Sequence, residues 1–108
     1  MNPGKWTSIA PLQTARSHPA TAVYAHSIYV MGGGGPAFKS LNSTEIFDPK
    51  TDCWRPGRPM PSLRSGSVAV THGDNIYVMG GGFKQADGRF RFLPTLEIYS
   101  PQQDQWQS

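Results

Sequence analysis

Ile28–Gly33 reads IYVMGG, and Ile76–Gly81 repeats it letter for letter. Two copies of a β-branched and aromatic run closing on paired glycines, 48 positions apart in 108 residues, mark an internal repeat. The period lies near the roughly 40 to 50 residues of stacked β units. Working outward from this anchor, Trp6 falls on Trp54, Pro11 on Pro59, Arg16 on Arg64 and Val23 on Thr71. Past the glycines the offset grows from 48 to 52 and pairs Glu45 with Glu97, Ile46 with Ile98, Phe47 with Tyr99, Pro49 with Pro101 and Trp54 with Trp106. The second repeat therefore carries an insertion between glycines and glutamate.

Within each repeat, short apolar or alternating runs are bounded by Gly, Pro, Asn and Asp without a long 3.6-residue period, which predicts strands. Four are placed per repeat. The first covers Ala20–Ala25 and Gly66–Val70, small and β-branched residues suited to a crowded position near an axis. The second is Ile28–Met31 and Ile76–Met79, entered through turns at His26-Ser27 and Gly73-Asp74-Asn75. The third is Thr44–Phe47 and Leu96–Tyr99, stopped at Asp48-Pro49 and Ser100-Pro101 because proline has no amide hydrogen for a ladder. The fourth is the segment around Trp54 or Trp106, and Lys5–Ser8 around Trp6 reads as one more of that kind. The paired glycines suit backbone shapes or close approaches that a Cβ forbids. A phosphate-cradling loop is disfavoured, since neither a helix pattern nor a Gly-Lys-Ser/Thr ending follows.

Composition agrees with an all-β chain. Hydrophobic residues at 37% and charged residues at 16%, with 12 Gly and 10 Pro, are too turn-rich for a helical protein and too apolar for a disordered one. A net charge of +3 mildly favours acidic partners but falls short of the dense basic faces that grip phosphate backbones. The single cysteine, Cys53, has no Cys or His beside it at metal-ligand spacing, so neither a metal nor an oxidising compartment is indicated. No apolar run approaches the roughly 20 residues of a membrane helix, and a cytoplasmic location with no membrane partner is expected.

An arginine before the first strand, a strand ending in Gly-Gly, then Glu-x-Tyr/Phe-x-Pro and a tryptophan resembles the kelch repeat. The pattern occurs twice, as Arg16, Gly32, Gly33, Glu45, Phe47, Pro49 and Trp54, then as Arg64, Gly80, Gly81, Glu97, Tyr99, Pro101 and Trp106. The resemblance implies an all-β fold of two four-stranded antiparallel kelch blades, part of a β-propeller that normally holds five to seven. Residues 1–8 then read as a fourth-strand segment of a preceding or neighbouring blade, 9–56 as the first repeat and 57–108 as the second. Two blades cannot close a ring, and each buried Ile or Val left exposed forfeits about 1.5–3 kcal/mol. The outer faces therefore need cover, from a longer chain or from copies arranged head to tail. Three copies would give six blades, and this homotrimeric ring is the expectation.

In an antiparallel meander the loop entering the first strand and the loop leaving the second lie on one rim. Arg16 and Ser17 on one entering loop, Arg64 and Ser65 on the other, and Lys39 on the first leaving loop are thus candidate contacts for a protein or peptide partner, an acidic one by charge. The second leaving loop, GFKQADGRFRFLPT, adds Phe83, Lys84, Arg89, Phe90, Arg91 and Phe92. If extended, Arg89–Phe92 puts arginines on one side and phenylalanines on the other, a composition common at interface anchors. The bland reading packs these phenylalanines under their own loop. Among kelch domains that serve as substrate receptors of cullin-type ubiquitin ligases, the arginine of an Arg-Ser-Gly stretch often lines an acidic-peptide site. Arg64-Ser65-Gly66 matches it fully, and Arg16-Ser17-His18 in its first two residues. The competing reading is structural: both arginines brace their blades by pairing with Glu45 and Glu97.

Two other function classes bear on this sequence. Some kelch propellers are enzymes, such as galactose oxidase and sialic acid epimerases. In this chain, however, His18, His26 and His72 fall at three phases of the repeat, and the carboxylates Asp48, Asp52, Asp74 and Asp87 sit in turns, so no acid/base pair or cofactor is indicated and catalysis is not expected. A weak nucleic-acid binder is suggested only by the four-residue run RFRF, where stacking aromatics and arginines interleave. The resulting expectation is a non-catalytic protein-interaction scaffold.

Overall fold

The computed structural model describes residues 4–108. Its strands are β1 (Ala20–Tyr24), β2 (Ser27–Gly34), β3 (Ser40–Asp48), β4 (Cys53–Gly57), β5 (Val68–His72), β6 (Asn75–Met79), β7 (Gly82–Lys84), β8 (Phe90–Phe92), β9 (Leu96–Ser100) and β10 (Gln105–Gln107). β1-β2-β3-β4 form one antiparallel sheet and β5-β6-β9-β10 another, each in chain order, while β7 and β8 pair as a separate ribbon. The two repeats are therefore two four-stranded blades of a propeller, as their sequences imply.

Local chemistry explains most of the boundaries. β1 and β2 are joined by Ala25 and His26, both at positive φ (48° and 66°), the hairpin geometry that matches strand twist. Blade 2 makes the corresponding turn at Gly73-Asp74, where glycine adopts φ 59° without a Cβ penalty. β5 starts at Val68 rather than at the expected Gly66, because Gly66 turns at φ 77° before the ladder begins. β3 is longer than expected: beyond a register shift between Met31 and Gly33 it pairs again, Leu41 with Gly33 and Ser40 with Gly34. Lys5–Ser8 belongs to no strand, and Trp6 is fully exposed; residues 1–3 of that expected segment lie outside the described residues.

The paired glycines close the second strand against the entering loop. A Cβ on Gly33 (φ 98°) would sit 2.5 Å from the Ser17 carbonyl oxygen, and one on Gly81 (φ 72°) 2.6 Å from that of Ser65. Both distances fall below any real contact, so the site requires glycine. This contact lets Ser17 bridge to Gly34 and Ser65 to Gly82, which ties entering and leaving loops together on one rim.

The core is the seam between blades. Ala20, Tyr29, Met31 and Ile46 of blade 1 pack on Ile76, Val78 and Tyr99 of blade 2, with Ala22, Tyr24, Ala69 and Trp106 at the margins. Met60, on the linker between the blades, is 1% exposed and wedges into this seam. Backbone bonds stitch the linker to blade 1: Met60 N donates to Asn42 O (2.7 Å), Arg64 N to Leu41 O (3.0 Å) and Gly33 N to Arg64 O (2.7 Å).

The outer edges repeat each other. Trp54 lies 5.0 Å from the Phe47 ring, Trp106 4.8 Å from that of Tyr99. Each indole donates to a linker carbonyl at 2.7 Å, Trp54 to Ala10 and Trp106 to Arg58. Asp52 and Asp104, at φ 54° and 52°, accept the matching amides of Ala10 (2.9 Å) and Arg58 (2.8 Å).

Candidate functional site

Arg16 and Arg64 do not face solvent on the rim. Both side chains are 0% exposed. Arg16 Nη1 donates to Gly32 O (2.9 Å) and Ser43 O (3.1 Å), and Nη2 to Ser43 Oγ (2.9 Å) and Glu45 Oε2 (2.5 Å). Arg64 repeats the set on Gly80 O (2.8 Å), Thr95 O (3.0 Å) and Thr95 Oγ1 (2.6 Å), with Nε at 3.4 Å from Glu97 Oε1. The expectation that these guanidinium groups contact a partner is corrected by this geometry: both are buried on their own blade's carbonyls, hydroxyls and carboxylates, with Arg16 Nε buried without a partner, and burying the charge is tolerable because it is paired and hydrogen-bonded. The competing structural reading of the sequence is the one observed.

What each arginine holds is the base of a leaving loop. Gly32 and Ser43 flank the first loop, Gly80 and Thr95 the second, so one guanidinium bridges both ends of a segment whose length differs between repeats. The carboxylates are positioned from the other side. Glu45 accepts the amides of Gln13 (2.8 Å) and Thr14 (3.2 Å), and Glu97 accepts the Ser62 hydroxyl (2.6 Å).

Above these clamps the rim is basic and aromatic. The second leaving loop, four residues longer than the first, folds into the β7–β8 ribbon with a turn over residues 85–89: Asp87-Gly88 is a strong hairpin signal, Asp87 Oδ1 accepts Arg89 N (2.9 Å) and Gln85 N donates to Arg89 O (2.7 Å). Register pairs Lys84 with Phe90, Phe83 with Arg91 and Gly82 with Phe92. Lys84, Phe90 and Phe92 therefore share one face and Phe83 and Arg91 the other, because opposed residues point the same way. The rings of Phe90 and Phe92 meet edge to face at 5.1 Å yet stay exposed, Phe92 at 75%. They do not pack under their loop.

The first leaving loop contributes a residue that the sequence reading did not single out. Ala37 and Phe38 take φ 58° and 60° in a tight turn at Pro36–Phe38, and Phe38 is 82% exposed. A bulky side chain at positive φ is held there at a cost. Phe38, Lys39, Leu63 and Lys84 line an open cleft of ≈ 380 Å³ between the two leaving loops, bridged at its floor by Lys84 N donating to Ser40 Oγ (3.0 Å). Arg89 is exposed beside Asp87, Lys39 and Arg91 are exposed, and Ser17 and Ser65 make the loop bridges through their backbone groups, Ser17 exposed and Ser65 half-buried. Among the described residues no group of three or more His, Cys, Asp and Glu gathers at metal-binding spacing.

Two groups of blade 2, away from the rim loops, have linked titration shifts. Burial, then the hydrogen bond to Asp104 (2.6 Å), pushes the Tyr99 phenol well above its ordinary value. The same bond holds the Asp104 carboxyl below its ordinary range, helped by the Arg58 amide and partly offset by desolvation.

Antiparallel four-stranded blades around an inner strand, each with an arginine clamp under its rim loop, define a propeller of repeated blades. The kelch motif matches twice, over residues 15–61 and 63–108, and the chain belongs to the kelch-repeat family. An F-box/kelch-repeat protein of Arabidopsis thaliana is 41% identical over 51 residues, 47% of this chain and 13% of that protein. Kelch-like protein 35 of Mus musculus is 43% identical over 49 residues, 45% of this chain and 8% of its own. Beta-scruin of Limulus polyphemus is 37% identical over 54 residues, 50% of this chain and 6% of its own. The solved structure of YjhT superposes with a TM-score of 0.75 at 20% identity over 91% of this chain and 28% of that one, which shows a shared fold. The chain thus spans 13% or less of these curated relatives. Kelch repeats generally serve as protein-interaction modules.

Proposed function

We propose that this chain is a non-catalytic interaction scaffold, a partial propeller whose loop rim binds an acidic peptide segment carrying an apolar anchor. The carrying observation is the cleft between the leaving loops, where exposed Phe38 and Leu63 lie beside Lys39 and Lys84. Aromatic and basic groups around a concave site suit a partner of opposite charge with one buried side chain. Self-association into a homotrimeric ring belongs to the same reading. The paired Phe90 and Phe92, on the ribbon face they share with Lys84, favour one second reading, a weak single-strand nucleic-acid binder, through stacking.

The test is fluorescence anisotropy with a short labelled peptide alternating glutamate and leucine, and its lysine–leucine counterpart as control. Binding of the acidic peptide alone, weakened at least about tenfold (about 1.4 kcal/mol) by Lys84→Glu combined with Phe38→Ser, supports the rim. Equal binding of both peptides, or no effect of the variant, refutes it. A labelled oligothymidylate bound at low salt and released by added salt would favour the second reading instead.

A further inference from the structure

Blade 2 turns an apolar face to solvent that has no counterpart free in blade 1. Val68 (60%) and Val70 (52%) are exposed on β5, and Tyr77, Met79, Leu96 and Ile98 continue the same face across β6 and β9. The corresponding face of blade 1, with Ala20, Ala22, Tyr29, Met31 and Ile46, is the one that packs on blade 2. On its other side, blade 1 exposes Val23 (61%), at the position matched in blade 2 by Thr71, whose hydroxyl donates to Val23 O across the seam (2.8 Å).

The two open faces are therefore the two halves of a seam the chain has already made once. We propose that the occupant of the blade 2 face is blade 1 of a second copy of this chain, docked head to tail with its residues 9–18 lying where the linker 57–66 lies in the internal seam. The proposal rests on the self-association part of the scaffold reading and supplies its surface.

Three contacts carry over. The linker crosses Gly32 so closely that a Cβ there would lie 2.5 Å from Arg64 O and 2.7 Å from the Met60 methyl, whereas beside Gly80 the same position is open, with nothing within 4 Å. Leu12, the match of Met60, and Arg16, the match of Arg64, would pass that point from the next copy. Gly81 N then meets Arg16 O as Gly33 N meets Arg64 O. The aromatic stack also has its parts: Tyr29 packs on Tyr99 at 5.9 Å across the internal seam, and Tyr77 would meet Phe47. On the free face His72 already stands edge to face with Tyr77 at 6.4 Å, as Tyr24 does with Tyr29 at 6.5 Å.

The differences are specific. Asn42 Nδ2 donates to Met60 O in the internal seam, and its match Pro94 has no donor. The Tyr24–Asp74 hydrogen bond becomes a His72–His26 contact. Near the axis Val68 and Val70 replace Ala20 and Ala22, a seam with more apolar bulk. Because the interface joins unlike faces, copies close into a ring or run on as a filament. Three two-blade copies make six blades, within the range the kelch resemblance implies.

Unlike faces give a decisive test. Val23→Glu and Val70→Glu each place a charge on one face only, at positions more than half exposed in the isolated chain, so each variant keeps its fold. Light scattering across a dilution series should find three chain masses for the wild type and one for each variant. Mixed in equal amounts, the variants should form a species of two chain masses, since each retains the face the other lacks. A wild type of one chain mass, a wild-type oligomer unchanged by either substitution, or a mixture that stays at one chain mass overturns the proposal. Peptide anisotropy on Val70→Glu separates this from the rim: retained binding with failed assembly removes the seam and leaves the rim reading standing.

Discussion

Replacing Arg64 by alanine separates a clamp from a contact residue. The side chain is 0% exposed and makes four polar contacts, to Gly80 O, Thr95 O, Thr95 Oγ1 and Glu97 Oε1. Truncation leaves the Glu97 carboxylate, 2% exposed, with only the Ser62 hydroxyl among these partners, and takes the guanidinium from two part-buried carbonyls. Breaking one side of a buried pair costs about 3–5 kcal/mol. At ~4–8 °C per kcal/mol for a domain of this size, Tm should fall by about 12–40 °C. Arg16→Ala should cost less. Glu45 keeps the amides of Gln13 and Thr14, so its charge is less exposed to the loss. Arg64→Lys should recover only part, since an ammonium concentrates its donors at one point and cannot span both loop ends.

The assay is urea unfolding followed by intrinsic fluorescence, at one protein concentration, because any self-association adds concentration-dependent stability. It is paired with the peptide anisotropy measurement on protein kept below its own unfolding midpoint. A surface contact residue behaves oppositely: stability changes by at most about 0.5 kcal/mol while binding collapses. If Arg64→Ala keeps its midpoint and abolishes peptide binding, the clamp reasoning fails and the arginine belongs to the site.

Further outcomes follow from single contacts. Gly33→Ala combines strain at φ 98° with a Cβ 2.5 Å from a backbone oxygen, whereas Gly80→Ala meets only strain, about 1–2 kcal/mol, so on the Val70→Glu background the first should lose clearly more stability by urea midpoint. Trp106→Phe keeps an aromatic beside Tyr99 but loses the indole bond to Arg58 O, and should cost about 1 kcal/mol in the same measurement. Asp104 has a folded pKa below its ordinary 3.8, so its stabilisation is present above that value and lost as pH falls through the folded one; Asp104→Asn should flatten the acid limb of a stability–pH profile. Tyr99, shifted upward, gives the mirror case: its contribution is present below pH 10 and lost only as strongly alkaline pH ionises the phenol in the folded state.

The blades were legible because the residues that set them act through the backbone, where a sequence states its constraints openly. Gly33 and Gly81 allow one close approach, Pro49 and Pro101 sit just past the third strand, and the repeat confirms each choice by making it twice. The role of the arginines was not legible. Arg16 and Glu45 are separated by 29 positions, and a guanidinium can pair with its own blade's carboxylate or a partner's; only the folded register decides. Phe38 was missed for a different reason: its positive φ comes without the Gly or Asn that usually announces one. The ribbon turn was announced, by Asp87-Gly88, but a short insertion inside a loop reads as more loop until its strands find each other.

The clamp also explains how one rim can carry unlike loops. Gly34–Ser43 has 10 residues and Gly82–Thr95 has 14, yet each is held at both ends by one guanidinium bound to matched carbonyls. Lengthening a closed loop in that ratio costs only about 0.3 kcal/mol of closure entropy, an order of magnitude below the roughly 3–5 kcal/mol lost when one partner of a buried pair is removed. The base is therefore fixed while the tip is nearly free to change in length and composition. In the proposed scaffold this division leaves recognition to Phe38, Lys39 and the β7–β8 ribbon, which differ between the repeats, while Arg16, Arg64, Glu45 and Glu97, which do not, hold the base. An arginine next to a variable rim is then the consequence of holding the loop, and its presence there does not by itself make it a ligand contact.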